Sequence, residues 1–122
     1  SYILVHSQGI LHRDLKTDNI LICDDNTCKI SNTILSYSGD FNVSKIVKPG
    51  EFFIDGSEGA MHFYAPELCD GKSKQKIDGR AIDVWSLGVC MYAMTFKCLP
   101  FMAKNHLNLL ELFNVIMKEG KI

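Results

Sequence analysis

The 122-residue sequence has no excess of either charge: 13 Lys and Arg stand against 14 Asp and Glu, a net charge of −1. A nucleic acid or an anionic membrane held by a basic face is therefore not expected as a partner. The cysteines, Cys23, Cys28, Cys69, Cys90 and Cys98, form no CxxC pair and no Cys/His zinc spacing. They read as buried free thiols in a reducing compartment, which predicts an intracellular, cytoplasmic protein. A structural metal and a disulfide framework are the alternatives, and Cys23 and Cys28 could face each other across a hairpin. No apolar run reaches the ~20 residues of a membrane span. The longest, Ile82 to Phe96, is shorter and carries Asp83. It reads as a fully buried core helix. No secretory leader is visible, because the apolar Ser1 to Val5 has no basic segment before it and no small-residue cleavage site after it. Internal repeats and low-complexity tracts are also absent.

What is present suits one ordinary globular domain, with 47% hydrophobic and 22% charged residues. Residues 1–7 read as the tail of a helix stopped by Gly9. A chain beginning inside an apolar helix suggests a truncated domain. The polar loop HRDLKTDN follows, then two β-like runs, ILIC and CKIS, around the turn residues DDNT. Residues 32–59 are irregular and too long for a plain connection, so they read as a functional loop. APELCDGKSKQKIDGRA reads as a short helical turn and a polar connector. A helix from about Ala81 to Phe96 ends at KCLPF. A last amphipathic helix carries Leu109, Leu112, Phe113 and Ile116 on one face. The expected fold is mainly α with a small β hairpin.

The loop carries the chemistry. Phosphoryl transfer asks for an aligned acceptor hydroxyl, a held metal and neutralised charge. Asp14 can accept the hydroxyl proton, Lys16 can cover the phosphate, and the carbonyl oxygen of Asn19 suits Mg²⁺. A hairpin behind these residues would keep them rigid.

HRDLKTDN matches the protein-kinase catalytic loop H-R-D-L-x-x-x-N at every fixed position. Five fixed residues at roughly 5% usage each coincide by chance about once in 10⁶–10⁷ starts. YAPEL, IDVWSLGVCMYAM and LPF with LLELFNVIMKEG follow in family order. They resemble the end of the activation segment, the central helix of the large lobe and the segment after it. The chain therefore resembles part of the large, C-terminal lobe of a eukaryotic-type Ser/Thr protein kinase across residues 1–122. Lysine two places after the aspartate is the Ser/Thr form. GVCMYAMTFKCLPFM looks closest to the calcium/calmodulin-dependent and kinase-kinase branches.

By that resemblance Asp14 is the catalytic base, Lys16 its phosphate-facing companion and Asn19 a metal ligand. His12 would belong to the apolar spine, and Arg13 would pair with a phosphorylated loop, with Ser57 as the phosphosite. Ser57 reads equally well as a plain loop serine. Asp83 would accept backbone N–H bonds from the catalytic loop; the bland alternative is a helix cap. Glu67 would pair with an arginine, but the only arginines are Arg13 and Arg80, which would leave a partly buried Glu67 without its partner. The full-length protein would use ATP and Mg²⁺ on protein substrates. With the N-lobe and the last helices of the lobe missing, the isolated chain is expected to be inactive, to bind neither cofactor and to expose apolar surface.

The pattern fails where Asp-Phe-Gly should follow the hairpin. Asn32-Thr33-Ile34 stands there instead, so the second metal ligand is neutral and the hinge glycine is gone. Asp40, in GDFN, could replace Asn32 if the chain bulged. Ala60 replaces a family hydroxyl that contacts the aspartate and lysine. These departures leave a pseudokinase, a scaffold or binding module, as the rival to a working kinase.

Overall fold

The computed structural model describes residues 6–31, 45–48, 51–54, 59–71, 76–105 and 107–120. Strand β1 (Ile10–Leu11) follows the helical His6 and Ser7 and a Gly9 with φ of 72°. A 3₁₀ turn, Thr17–Asn19, leads into β2 (Ile20–Ile22), which pairs antiparallel with β3 (Cys28–Ile30). The turn between them is fastened by Asp25, whose Oδ1 accepts from the Thr27 amide at 3.0 Å and its hydroxyl at 2.6 Å. Those bonds, the hydroxyl's first, hold the Asp25 carboxyl below its ordinary range.

The hairpin is not the whole of the β structure. β4 (Lys45–Ile46) pairs with β1, and β5 (Phe53–Ile54) pairs with β6 (Ile77–Asp78), both antiparallel. Each of these four strands is two residues long, too short for an alternating pattern to show in a sequence. Helices carry most of the ordered structure: α1 (Pro66–Cys69), α2 (Gly79–Phe96) and α3 (Leu109–Glu119). Pro66 opens α1, where a missing N–H costs nothing.

α2 begins ahead of the expected Ala81. Asp78 is its N-cap, accepting from the Arg80 amide at 2.9 Å. The Arg80 guanidinium also bonds Asp78 at 2.7 Å and holds that carboxyl below its ordinary range. Gly79 lets the helix start come close to β1, since a Cβ there would overlap the buried Leu11 side chain. The helix buries Ile82, Asp83, Ser86, Val89 and Cys90, but Val84, Met91 and Phe96 are mostly exposed. The expectation of a fully buried helix is thus corrected: one stripe is buried, and no described element covers the other side.

Trp85 packs against all three clusters of the core and stacks on Phe101 with ring centroids 5.7 Å apart. One cluster joins Leu11, Val47, Ile54, Ala65 and Ile82; a second joins Tyr64, Cys69, Ala103, Leu112 and Ile116. α3 is capped by Asn108, which accepts from the Glu111 amide at 3.1 Å. Leu112 and Ile116 are buried as the periodicity predicts. Leu109, at the first position of α3, is 42% exposed.

All five cysteines are free, and only Cys69 and Cys90 are buried. Burial pushes both thiols up to about 11, helped at Cys69 by the charge of Glu67, so both stay protonated at neutral pH. Cys28 and Cys98 are exposed, against the expectation of buried thiols. Cys28 lies opposite Ile22 in the strand register, not opposite Cys23. No helix among the described residues is long and apolar enough to cross a membrane.

Candidate active site

The loop from Leu11 to Asn19 sits on a carboxylate supplied by α2. Asp83 is fully buried. Its Oδ1 accepts from the Arg13 amide at 2.8 Å, and its Oδ2 accepts from the His12 amide at 2.9 Å. His6 Nε2 donates to Oδ2 as well, at 3.0 Å. Asp83 is therefore not the cap of α2, a place that Asp78 holds. Three donors converge on one carboxylate, which is how a buried charge is accommodated. Two of them are consecutive backbone amides, and this pins Arg13 at φ 66°, a left-handed conformation that an arginine seldom adopts.

His12 is buried and works in both directions. Its Nδ1 accepts from the Asp14 amide at 3.3 Å and its Nε2 donates to the Ser31 carbonyl at 3.1 Å. These two bonds select the tautomer with hydrogen on Nε2. They also tie the loop to the end of the hairpin.

The turn after Arg13 brings Asp14, Lys16 and Asn19 together. Lys16 Nζ lies 3.7 Å from Asp14 Oδ2. Asn19 is buried and its Nδ2 donates to the Asp14 carbonyl at 2.7 Å. With its nitrogen engaged, the amide has only its oxygen left to offer a cation. An oxygen donor beside a carboxylate suits Mg²⁺, and to this extent the residues fit the metal. Among the described residues no group of three or more His, Cys, Asp or Glu side chains could hold a metal ion.

Asp14 Oδ1 accepts from the backbone amide of Ala60 at 3.0 Å. The main chain at Ala60 thus reaches the aspartate without a side-chain hydroxyl. Gly59 makes this approach feasible. It has φ of 109°, and a Cβ on it would stand 2.7 Å from the Arg13 carbonyl oxygen and 3.1 Å from Asp14 Oδ1. Sequence reasoning passes over Gly59, His6 and Ser31. Their only local signals are a glycine in GSEGA, a polar residue ending an apolar helix, and a serine closing a strand.

Behind the site, Ser86 of α2 donates to the Phe63 carbonyl at 2.8 Å, fixing the 3₁₀ turn Met61–Phe63 that follows Ala60. Glu67 is exposed, so the missing arginine strands no buried charge. Asn32, Thr33, Ile34, Asp40 and Ser57 lie outside the described residues.

Comparison with known proteins agrees with this picture. The family of the protein kinase domain matches residues 2–120. The chain belongs to the protein kinase domain family, and its relatives are eukaryotic-type serine/threonine kinases. It is 37% identical to serine/threonine-protein kinase ppk34 of Schizosaccharomyces pombe over 92% of its length. It is 39% identical to serine/threonine-protein kinase TOS3 of Saccharomyces cerevisiae over 94%, and 38% identical to the calcium/calmodulin-dependent protein kinase kinase cmkC of Emericella nidulans over 92%. The chain spans 28% of the first of these relatives and 20% of each of the other two.

Proposed function

We propose that this chain is part of the C-terminal lobe of a Ser/Thr protein kinase, and that the full-length protein transfers the γ-phosphate of ATP to protein hydroxyls. The observation that carries the reading is the convergence on Asp14: Lys16 at 3.7 Å, the Ala60 amide at 3.0 Å and the Asn19 amide on its carbonyl at 2.7 Å. Among the described residues no backbone amide bonds Asp14 Oδ2, so it is the oxygen that accepts the proton of the acceptor hydroxyl. Lys16 balances the negative charge that the transferred group brings to the aspartate. Asp83 and His12 do no chemistry; they hold the loop. Bound Mg²⁺ would neutralise phosphate charge, with Asn19 and the neutral Asn32 as its ligands from this chain. Arg13 would answer phosphorylation of Ser57 in the same way as in the family. The calcium/calmodulin-dependent kinase kinase branch is the subfamily we favour, from the segment Gly88–Met102 and the similarity to cmkC.

Asn32 in place of an aspartate favours a second reading, a pseudokinase that keeps the fold as a binding module. The separating experiment is transfer of radiolabelled phosphate by the full-length protein and by Asn32→Asp. We expect measurable transfer by the native protein, raised by the added charge. Absence of transfer by the native protein, restored in Asn32→Asp, would establish the pseudokinase.

Gly59→Ala is expected to lower transfer about 10²-fold, because a Cβ beside the Arg13 carbonyl displaces the aspartate by a fraction of an ångström or more. Steady-state kinetics with one peptide checks it; unchanged kcat would show that the Ala60 amide does not position Asp14.

A further inference from the structure

Beside the catalytic loop lies a groove of about 380 Å³, within the roughly 300–1,000 Å³ usual for ligand clefts. Thr17, Ala93 and Leu99 line it together with the polar His62 and Lys97. Among the described residues no acidic side chain lines it. Asp18, next to Thr17, is exposed and stands outside the lining. Neither the His62 imidazole nor the Lys97 ammonium has a hydrogen-bond or ion-pair partner among the described residues. Two nitrogen donors thus face an open groove without an acceptor.

Lys97 is unusual in a second way. It closes α2 at φ 58° and ψ 25°, in the left-handed region where glycine is the ordinary residue. A lysine in that conformation is held there against its own preference, and its side chain is delivered to the groove.

Resting on the kinase reading above, we propose that this groove receives an acidic side chain of the protein substrate, an aspartate or glutamate flanking the acceptor hydroxyl. Thr17 is three residues past Asp14 and so at most about 11 Å from it along the chain. An extended peptide whose hydroxyl sits at Asp14 reaches that distance about three residues to one side. Its carboxylate meets the Lys97 ammonium and a hydrogen bond from His62, while Ala93 and Leu99 take its methylene groups. The Lys97 pair is partly solvated, so it sorts substrates more than it tightens them.

The test is fluorescence anisotropy with labelled serine peptides and the full-length protein. The peptides differ only in carrying Asp, Asn or Lys at one flanking position at a time. We expect Asp to bind about three- to five-fold more tightly than Asn at one of these positions. Lys97→Gly, which suits the left-handed backbone, removes that preference, and Lys97→Glu turns it towards Lys. Equal binding of Asp and Asn peptides at every position, absence of binding by any peptide, or a preference unchanged in Lys97→Gly overturns the proposal. Phosphate transfer to the same peptides is scored separately. Acid-selective binding without transfer would sink the kinase reading and leave the groove assignment standing.

Discussion

Asp14→Ala in the full-length protein is expected to lower phosphate transfer by about 10²–10⁴-fold, the usual share of a positioned acid or base. The fold should barely notice. Among the described residues Asp14 makes one side-chain bond to the backbone, from the Ala60 amide, and one partly exposed ion pair at 3.7 Å with Lys16. The first contributes about 1 kcal/mol and the second less. The melting temperature should therefore shift by no more than about 5 °C. KM for peptide should change little, since the aspartate meets the hydroxyl chiefly as its proton leaves. Single-turnover transfer and a thermal melt on the same preparation check both halves. Full activity in Asp14→Ala would remove Asp14 from the chemistry.

Asp83→Ala should do the opposite, with a loss of stability first and of activity as its consequence. The carboxylate is fully buried and accepts from the His12 amide, the Arg13 amide and His6 Nε2. Removing it leaves two backbone donors and an imidazole without an acceptor in a closed space. Each buried unsatisfied group costs about 1–3 kcal/mol, so with three donors left and partial rearrangement around them a loss of about 3–5 kcal/mol is expected. It should lower the melting temperature by about 10 °C or prevent folding. Denaturant unfolding measures it. Arg13, held at φ 66° by that carboxylate, should relax, so hydrogen exchange at the loop amides should rise even where the variant stays folded. A loss under 1 kcal/mol would show that water replaces the carboxylate, and the loop would then need another support.

These two aspartates show how unevenly a sequence speaks. Asp14, Lys16 and Asn19 are legible as a unit because they lie on one short loop, and local spacing is what a sequence displays. The hairpin was legible through its turn residues, and α2 and α3 through their apolar periods. The strands of two residues were not, since they carry no pattern. Nor was the exposure of Val84, Met91 and Leu109, because an apolar residue declares a preference for burial and not the presence of a neighbour.

The sequence by itself determined the kinase-like loop, the helices and the residue types at the site. It also displayed the neutral Asn32 where a charged ligand is expected. The family resemblance implied that Asp83 bonds the loop amides; the tertiary structure decided between that and a helix cap, and showed what else the site residues touch. Asp83 reaches the loop across 70 and 71 positions of chain, and the Ala60 amide reaches Asp14 across 46. Lys97 and His62 share a groove with Thr17 although they come from three separate segments. Such contacts depend on how whole elements pack, and loop closure over tens of residues leaves no trace in local composition.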